Sequence, residues 1–288
     1  MAVRQSDVEP AITIHPLAGA LGAEILGIDL REPLGDASFE TIHQALLDHL
    51  VIFFRDQDLT PEQHIAFGER FGKLHVHPFI PNLEGYPQVI KLESADNGPG
   101  NMAYQSNCWH TDLTYTAEPP MASILHGLIV PAAGGDTMWN NLYAAYEALS
   151  APLRNLLDGL TAMHNIISSM PADFMEQNWA PKQLERLQKV TPPVEHPVVR
   201  THPVTGRKCL FVNRNFTAYL QGLHRTESDA LLDMLYTHME QPEFVARFKW
   251  RKHSLAMWDN RCTQHYALTD YRSKRTMHRV TVCGDRPY

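Results

Sequence analysis

Two residues that could bind a metal ion stand two positions apart in residues 108–112, which read Cys-Trp-His-Thr-Asp. His110 offers an imidazole and Asp112 a carboxylate, and alternate residues of an extended strand point to the same face. A third candidate, His265, follows far downstream. Two histidines and one carboxylate are the usual ligand set of non-haem Fe(II) oxygenases, because three protein ligands leave positions open for substrates. We therefore predict a metal centre formed by these three side chains.

Two arginines close to the end of the chain, Arg275 and Arg279, are four residues apart. A guanidinium group is a natural bidentate partner for a carboxylate or another oxyanion. A 2-oxo acid with a second carboxylate would need one such partner, and an anionic substrate would need another. The two arginines therefore predict two anion sites next to the metal centre.

Length and charge narrow the class of protein. The 288 residues fit one large domain, and we find no internal repeat or linker, so we predict a single domain over residues 1–288. The formal net charge of −7 and the absence of a basic stripe argue against nucleic acid as a partner. The N-terminus does not read as a signal peptide and no apolar run reaches the length of a membrane span. We expect a cytoplasmic protein without membrane contact.

Four cysteines are widely separated, and none belongs to a C-x-x-C motif. This spacing indicates neither a disulfide framework nor a zinc finger. Cys108 and Cys262 lie near two of the predicted metal ligands. They are small core residues or sulfur atoms close to the metal, and the sequence leaves both interpretations open.

Periodicity predicts strands at the start, in the middle and at the end of the chain, with helices between them. Apolar residues at helical spacing predict a helix over residues 36–50, and Thr60 with Gln63 has the pattern of a capping box at the start of a second helix. Strands are predicted at 51–54, 89–92, 122–130, 248–250, 255–258 and 277–282. Residues 171–193 are rich in Pro and Gln and indicate an insertion or lid. The pattern favours a mainly β fold, a jelly-roll core decorated by helices.

Several motifs in fixed order resemble the taurine dioxygenase family of Fe(II)/2-oxoglutarate-dependent oxygenases, from about residue 12 to the C-terminus. The matching stretches are Trp109-His110-Thr111-Asp112, Gly134-Gly135-Asp136-Thr137, Ala144-Ala-Tyr-Glu-Ala-Leu149, His196-Pro-Val-Val-Arg200-Thr-His-Pro203, Trp258-Asp-Asn-Arg261 and Met277-His-Arg279. The resemblance implies a double-stranded β-helix core. It also implies Fe(II) as the metal, 2-oxoglutarate as cosubstrate and O₂ as oxidant.

Site residues follow from the resemblance position by position. His110, Asp112 and His265 match the catalytic iron ligands. Thr137 and Arg275 match the residues that hold the distal carboxylate of 2-oxoglutarate, in agreement with the hydrogen-bonding chemistry of a hydroxyl and a guanidinium group.

The resemblance also implies a substrate site. Arg279 matches the arginine that meets the acidic head group of the substrate, and His77 matches the histidine that assists it. The backbone N–H of Leu113 matches a further contact to that head group. Ser169 and Phe216 are retained at substrate-binding positions.

Two of the substrate-binding positions depart from the family's taurine enzymes. Ile80 stands where those enzymes have a tyrosine, and Ser106 stands where they have an asparagine. Met170 also replaces an aromatic residue. These changes leave a more apolar pocket, in which the ammonium group of taurine would be poorly compensated. We therefore expect a small organic anion without an amine, such as a sulfonate, a sulfate ester or an aryloxy acid.

The expected reaction hydroxylates the substrate and converts 2-oxoglutarate to succinate and CO₂. Two other classes of function remain open. The first is a zinc hydrolase built on His75 and His77, which have the same alternate spacing as the predicted iron ligands. The second is a non-catalytic protein of the same fold that binds 2-oxoglutarate. A homo-oligomer is also left open.

Overall fold

A computed structural model describes residues 11–78, 80–94, 107–170 and 180–288. The strands are β1 Thr13–Pro16, β2 Ala23–Leu26, β3 Val51–Phe54, β4 Asn82–Leu83, β5 Tyr86–Ser94, β6 Ala122–Ile129, β7 Thr137–Asn141, β8 Thr161–His164, β9 Val194–Pro197, β10 Val199–Thr201, β11 Lys208–Leu210, β12 Thr217–Leu220, β13 Val245–Phe248, β14 Leu255–Asp259, β15 Thr263–Ala267 and β16 Arg275–Val282. The helices are α1 Asp36–His49, α2 Pro61–Glu69, α3 Leu142–Glu147, α4 Ala151–Leu157, α5 Ala180–Val190 and α6 Arg225–Met239.

The largest sheet has the strand order β1-β2-β3-β14-β6-β16-β5-β4 within the described ranges. The pairings are antiparallel except that of β2 with β3. At the centre, β6 lies between β14 and β16. The central strands are nearly continuous runs of buried residues, as expected for a sheet covered on both faces.

A three-stranded sheet with the order β13-β7-β15 faces the large sheet. Phe53 of β3 contacts Trp139 of β7, with ring centroids 5.5 Å apart, and stacks on Phe248 of β13 at 4.0 Å. Trp139 also lies 5.7 Å from Trp258 of β14. These aromatic contacts join the two sheets across one apolar core.

Local sequence signals for the helices are confirmed. Helix α1 covers the predicted amphipathic stretch. At the start of α2 the Gln63 backbone N–H donates to Thr60 Oγ1 at 3.3 Å, and the Thr60 N–H donates to Gln63 Oε1 at 2.9 Å. This is the predicted capping box, whose two reciprocal hydrogen bonds satisfy N–H groups that a helix start leaves unpaired.

Two sequence predictions differ from the structure. The strand expected at 248–250 is β13, which ends at Phe248, so Trp250 is free to make a side-chain contact described below. Residues 108–112 do not form a regular strand, because His110 makes only an isolated bridge before the chain turns. Of the 171–193 segment, residues 171–179 lie outside the described part of the chain and the helix α5 begins at Ala180, so the insertion or lid stays a prediction.

The described residues therefore form a mixed α/β structure built on antiparallel sheets. None of the helices in the described part of the chain has the length and apolar character needed to cross a membrane.

Candidate active site

His110, Asp112 and His265 come together at one buried point. Their ligand atoms all lie within 4.8 Å of one another. Asp112 Oδ1 is 4.0 Å from His110 Nε2 and 4.0 Å from His265 Nε2. Three neutral or anionic donor atoms at this spacing, without a bulky side chain between them, can surround one divalent metal ion. The geometry agrees with the triad predicted from the sequence.

Backbone hydrogen bonds hold the two histidines together. The His110 N–H donates to the His265 carbonyl at 3.1 Å, and the His265 N–H donates to the His110 carbonyl at 2.8 Å. The chain then turns sharply, and Leu113 adopts a positive φ of 51°. This left-handed residue costs backbone strain, which tertiary contacts must offset. Asp112 therefore lies next to the histidines at the start of this turn and not in a regular strand.

Hydrogen bonding and burial prepare the imidazoles for a metal. His110 Nδ1 lies 2.7 Å from the Cys108 carbonyl oxygen, which can only accept, so Nδ1 carries the proton and Nε2 has a free lone pair. Burial lowers the pKa of His110 and lowers the pKa of His265 to about 3. Both rings are therefore neutral at neutral pH, which is the form that binds metals.

Asp112 is ionised in spite of its burial. Burial alone would raise the pKa of this carboxyl, but the positive charge of the nearby Arg279 guanidinium and the hydrogen bond from Ser123 hold it well below its usual range. Arg279 Nη1 donates to Asp112 Oδ1 at 3.1 Å, and Ser123 Oγ donates to Asp112 Oδ2 at 2.7 Å. The carboxylate is thus both charged and fixed in orientation.

A second group of metal-binding residue types, made of His202, Asp259 and Cys262, is also buried. Here the donor atoms are already engaged. Asp259 accepts hydrogen bonds from Arg261 and from His202 Nε2, the latter at 3.0 Å, and His202 Nδ1 accepts from two backbone N–H groups. With its lone pair occupied, this imidazole cannot bind a metal, so the group is a structural ion-pair network.

Neither Cys108 nor Cys262 belongs to the triad. The Cys108 thiol contacts the Trp109 carbonyl, and Cys262 lies with His202 and Asp259. Of the two interpretations left open by the sequence, the structure supports that of a small core side chain for Cys262, which is buried, whereas Cys108 is only partly buried.

Thr137 and Arg275 meet at Trp250. Trp250 Nε1 donates to Thr137 Oγ1 at 2.9 Å, and the Arg275 guanidinium carbon lies 6.0 Å from the centroid of the Trp250 ring. Burial lowers the pKa of Arg275, and its Nε is buried without a hydrogen-bond partner among the described residues. A buried guanidinium with an unused donor fits an anionic ligand such as the distal carboxylate of a 2-oxo diacid.

A tight turn delivers Thr137 to this position. Gly134 and Gly135 have φ values of 77° and 70°, and the Gly135 N–H donates to Asp270 Oδ1 at 2.8 Å. A Cβ on Gly134 would lie 2.7 Å from the Asp270 carbonyl oxygen, and one on Gly135 would lie 3.5 Å from Arg275 Cδ. Glycine is required at 134 on both conformational and steric grounds.

His77 lies in the electrostatic field of Arg279. Burial lowers the pKa of His77 to about 4, and the positive charge of Arg279 adds to this shift. The Ile80 backbone N–H donates to His77 Nδ1 at 3.0 Å. The neutral ring therefore has its proton on Nε2, which makes that atom a hydrogen-bond donor. The backbone of Ile80, whose side chain is half-buried, thus sets the His77 tautomer.

An apolar cluster lies beside the triad. Its members are Leu113, Tyr115, Ile166, Leu187 and Phe216, with Ile167 and Met170 packed against them. The Phe216 ring is edge-on to the His110 ring, with centroids 6.2 Å apart. Ser169 sits in the short turn next to this cluster, where its hydroxyl donates to the Ile166 carbonyl at 2.6 Å. The cluster therefore offers an apolar wall next to the candidate metal site.

The structure brings together the predicted residues of the triad, of the cosubstrate site and of the anion site. Ser106 lies outside the described residues. Sequence reasoning did not identify Trp250, Ser123, Asn260 or Leu187. The signal for Ser123 was a lone hydroxyl in a buried apolar strand, and the signal for Asn260 was its place in the Trp-Asp-Asn-Arg stretch.

The zinc alternative is not supported. The rings of His75 and His77 are 5.9 Å apart, but neither residue belongs to a group of three metal-binding side chains in the described part of the chain. His77 Nδ1 is already an acceptor for a backbone N–H. A zinc site needs three or four free donor atoms, and this pair does not supply them.

Comparison with known proteins gives an independent view of the chain. A family model described as "Taurine catabolism dioxygenase TauD, TfdA family" matches residues 13–281. An alpha-ketoglutarate-dependent sulfate ester dioxygenase of Pseudomonas putida is 38% identical over 282 residues, covering 96% of this chain and 91% of that protein. An alpha-ketoglutarate-dependent 2,4-dichlorophenoxyacetate dioxygenase of Cupriavidus pinatubonensis is 33% identical, covering 96% and 99%.

Solved structures agree. The crystal structure of a taurine dioxygenase from Burkholderia xenovorans superposes with a TM-score of 0.82 at 40% identity, covering 96% of this chain and 91% of that one. The crystal structure of AAD-2 in complex with Mn(II) and N-oxalylglycine superposes with a TM-score of 0.81 at 30% identity, covering 96% of this chain and 99% of that one. These findings support a 2-oxoglutarate-dependent oxidoreductase and not a hydrolase. The chain belongs to the taurine catabolism dioxygenase TauD, TfdA family.

Proposed function

We propose that this dioxygenase uses Fe(II) and hydroxylates a small, amine-free organic anion, drawn from the sulfate esters, sulfonates and aryloxy acids. One observation carries the proposal: the buried triad contacts both a cation, Arg279, and a member of an apolar cluster, Phe216. A substrate with an anionic head and an apolar body matches this arrangement. The names of the relatives, which include a sulfate ester dioxygenase and an alkylsulfatase, support the same substrate class.

The triad residues would hold the iron, and the bound iron supplies the activation of O₂ that is coupled to decarboxylation of 2-oxoglutarate. The protein's own part is to bind and orient. Arg275, Thr137 and the buried surface around Trp250 fix the distal carboxylate of the cosubstrate, so that its 2-oxo acid end points away from them. Since the site is buried, these charged contacts are stronger than they would be in water.

Arg279 and His77 would bind the substrate anion. The guanidinium provides charge, and the neutral imidazole donates from Nε2 because its Nδ1 accepts from Ile80. The apolar body of the substrate would then lie against Phe216 and Leu113, close to His110. This placement would bring a substrate carbon next to the metal site and keep water away from it.

Hydroxylation next to the heteroatom explains the three substrate classes. A carbon that carries both a hydroxyl and a sulfate, sulfonate or aryloxy group loses the latter as sulfate, sulfite or a phenol. The remaining product is an aldehyde or a ketone. The balanced overall reaction consumes one 2-oxoglutarate and one O₂ and yields succinate and CO₂ in addition.

The test is a turnover assay with purified protein, Fe(II) and 2-oxoglutarate. Hexyl sulfate, hexanesulfonate, 2,4-dichlorophenoxyacetate and taurine would be supplied in turn, and both succinate and the released anion or phenol would be measured. We expect substrate-dependent succinate with at least one amine-free anion, and none with Asp112→Ala. Binding of 2-oxoglutarate without consumption in the presence of every member of the panel would instead favour the non-catalytic alternative.

We further propose that the sheets form a double-stranded β-helix and that residues 1–288 are one domain. Support comes from the antiparallel sheets that face each other across a shared core, with the triad residue His265 on the smaller sheet and Arg279 on the larger.

A cytoplasmic location, the lack of nucleic-acid or membrane partners and the oligomeric state stay predictions. Fractionation of cells and light scattering of the purified protein would test them.

A further inference from the structure

A chain of side-chain hydrogen bonds leads from the core to the metal-facing carboxylate. Trp258 Nε1 donates to Asn260 Oδ1 at 2.9 Å, and Asn260 Nδ2 donates to Ser123 Oγ at 3.1 Å. Ser123 Oγ in turn donates to Asp112 Oδ2 at 2.7 Å. Trp258, Asn260 and Ser123 are each at most 1% exposed. We call this set the Trp258–Asn260–Ser123 relay.

The direction of every bond in the relay is fixed by chemistry. An indole N–H can only donate, so the amide of Asn260 must turn its oxygen towards Trp258 and its NH₂ towards Ser123. Because Ser123 Oγ accepts from that NH₂, the serine proton is directed to Asp112. Water does not compete at these buried atoms, and reversal of one bond would leave a buried polar group unpaired.

The relay distinguishes the two oxygens of Asp112. Oδ2 is the acceptor for Ser123, whereas Oδ1 faces His110 Nε2 and His265 Nε2 at 4.0 Å each. Rotation of the carboxylate would break the bond to Ser123. The other neighbour, Arg279, binds Oδ1 and cannot replace this hold on Oδ2.

We propose that Ser123 is a positioning residue for the metal site, held in place by Asn260 and Trp258, which makes Asp112 present Oδ1 alone to the metal. The Trp-Asp-Asn-Arg stretch then has two separate tasks. Asp259 and Arg261 form the structural network with His202, while Trp258 and Asn260 on the alternate positions serve the metal ligand. The proposal rests on the proposed function only for the identity of the metal site, and its test requires no turnover.

The experiment compares Ser123→Ala with Ser228→Ala. Ser228 is a matched control, because it is a buried serine whose hydroxyl accepts a backbone hydrogen bond, from Leu220 at 2.9 Å, on helix α6. The affinity for Mn(II) would be measured by titration of the metal-free proteins. Loss of a hydrogen bond that orients a metal ligand weakens metal binding by about 10- to 100-fold. We expect this loss for Ser123→Ala and less than about a twofold change for Ser228→Ala, in keeping with the lack of any link to the site.

A spectroscopic measurement separates positioning from general destabilisation. The visible absorption of bound Co(II) responds to the number and arrangement of its ligands. We expect the Co(II) spectrum of Ser123→Ala to differ from that of the unmodified protein, and that of Ser228→Ala to be unchanged. If Ser123→Ala does not fold, Ser123→Cys is used in its place, because a thiol is close in size to a hydroxyl and donates only weakly. We expect its Mn(II) affinity to fall as well. Mn(II) affinity and a Co(II) spectrum unchanged by the Ser123 substitution would overturn the proposal.

Discussion

Arg279 Nη1 donates a hydrogen bond to Asp112 Oδ1 across 3.1 Å. The same oxygen faces the Nε2 atoms of His110 and His265. The arginine assigned to the substrate anion therefore contacts the carboxylate assigned to the metal. An anion bound at this guanidinium would partly neutralise its positive charge and so weaken its attraction for the Asp112 carboxylate. The substrate site and the metal site therefore share one electrostatic environment.

Substitution of any triad residue should abolish turnover. His110→Ala, Asp112→Ala and His265→Ala each remove one of three ligands from a site for which the described residues offer no fourth ligand side chain. We expect no substrate-dependent succinate above background and a loss of Mn(II) binding. Both are measured on protein whose fold is checked by circular dichroism. Near-normal activity in any one folded variant would contradict the assignment of the triad.

The two arginines should serve different ligands. Arg275 lies with Thr137 and Trp250, whereas Arg279 lies with Asp112 and His77. Loss of one member of a buried charge-assisted pair costs about 2–5 kcal/mol, which is roughly 30- to several-thousand-fold in affinity. We expect Arg275→Ala to lower mainly the affinity for 2-oxoglutarate.

For Arg279→Ala we expect the KM for the organic anion to rise with little change in the affinity for 2-oxoglutarate. Titration of both ligands against both variants measures the division directly. If each variant lost the same amount of affinity for both ligands, the two anion sites would not be separate.

Substrate preference should favour an anion without an amine. The apolar wall of Leu113 and Phe216, with Ile80 in place of a tyrosine, offers few acceptors for an ammonium group. A hydrogen bond to a charged group contributes about 1.5–3 kcal/mol, so we expect kcat/KM for the best alkyl sulfate, sulfonate or aryloxy acid to exceed that for taurine by about tenfold or more. Competition assays measure this ratio.

A double substitution tests the reason for that preference. Ile80→Tyr combined with Ser106→Asn should raise the relative kcat/KM for taurine, because the two changes restore a phenol and an amide to the pocket. The affinity for 2-oxoglutarate serves as the internal control. A clear advantage for taurine in the unmodified enzyme would mean that the pocket, though not the metal site, has been misassigned.

Acid should destabilise the fold through His64. This histidine of α2 is enclosed next to His126 of β6, with ring centroids 5.9 Å apart. Burial lowers its pKa from 6.5 to about 3, and the positive charges that His126 and His278 would carry add to the shift. Between these two pH values the unfolded chain binds a proton that the folded chain does not, so stability rises with pH in this window and is lost as pH falls.

The free energy of unfolding at pH 5 should be about 2 kcal/mol lower than at pH 7, because each pH unit below 6.5 lowers it by about 1.36 kcal/mol. His64→Leu should remove this part of the pH dependence. Urea unfolding of both proteins at pH 7 and pH 5 provides the measurement, with His15→Gln, a change at an exposed position, as the control. An equal slope of stability against pH in the wild type and in His64→Leu would rule out His64 as the cause.

The sequence by itself determined what depends on near neighbours in the chain. The capping box of Thr60 and Gln63 was predictable, because its two hydrogen bonds join residues three apart. Helix α1 and strand β3 followed from apolar periodicity in the same way. The triad and the two arginines were identified from residue types, order and family resemblance, and the structure brings these residues together.

Only the tertiary structure decided how those residues are held. The spacing of His110 and Asp112 suggested a strand, but His110 makes only an isolated bridge to His265, and Asp112 lies at the start of the turn that contains the left-handed Leu113. Ser123 and Asn260 are 137 positions apart and meet only because β6 and β14 pair in the large sheet. Contacts of this kind depend on how whole strands pack, and no local pattern of residues specifies them.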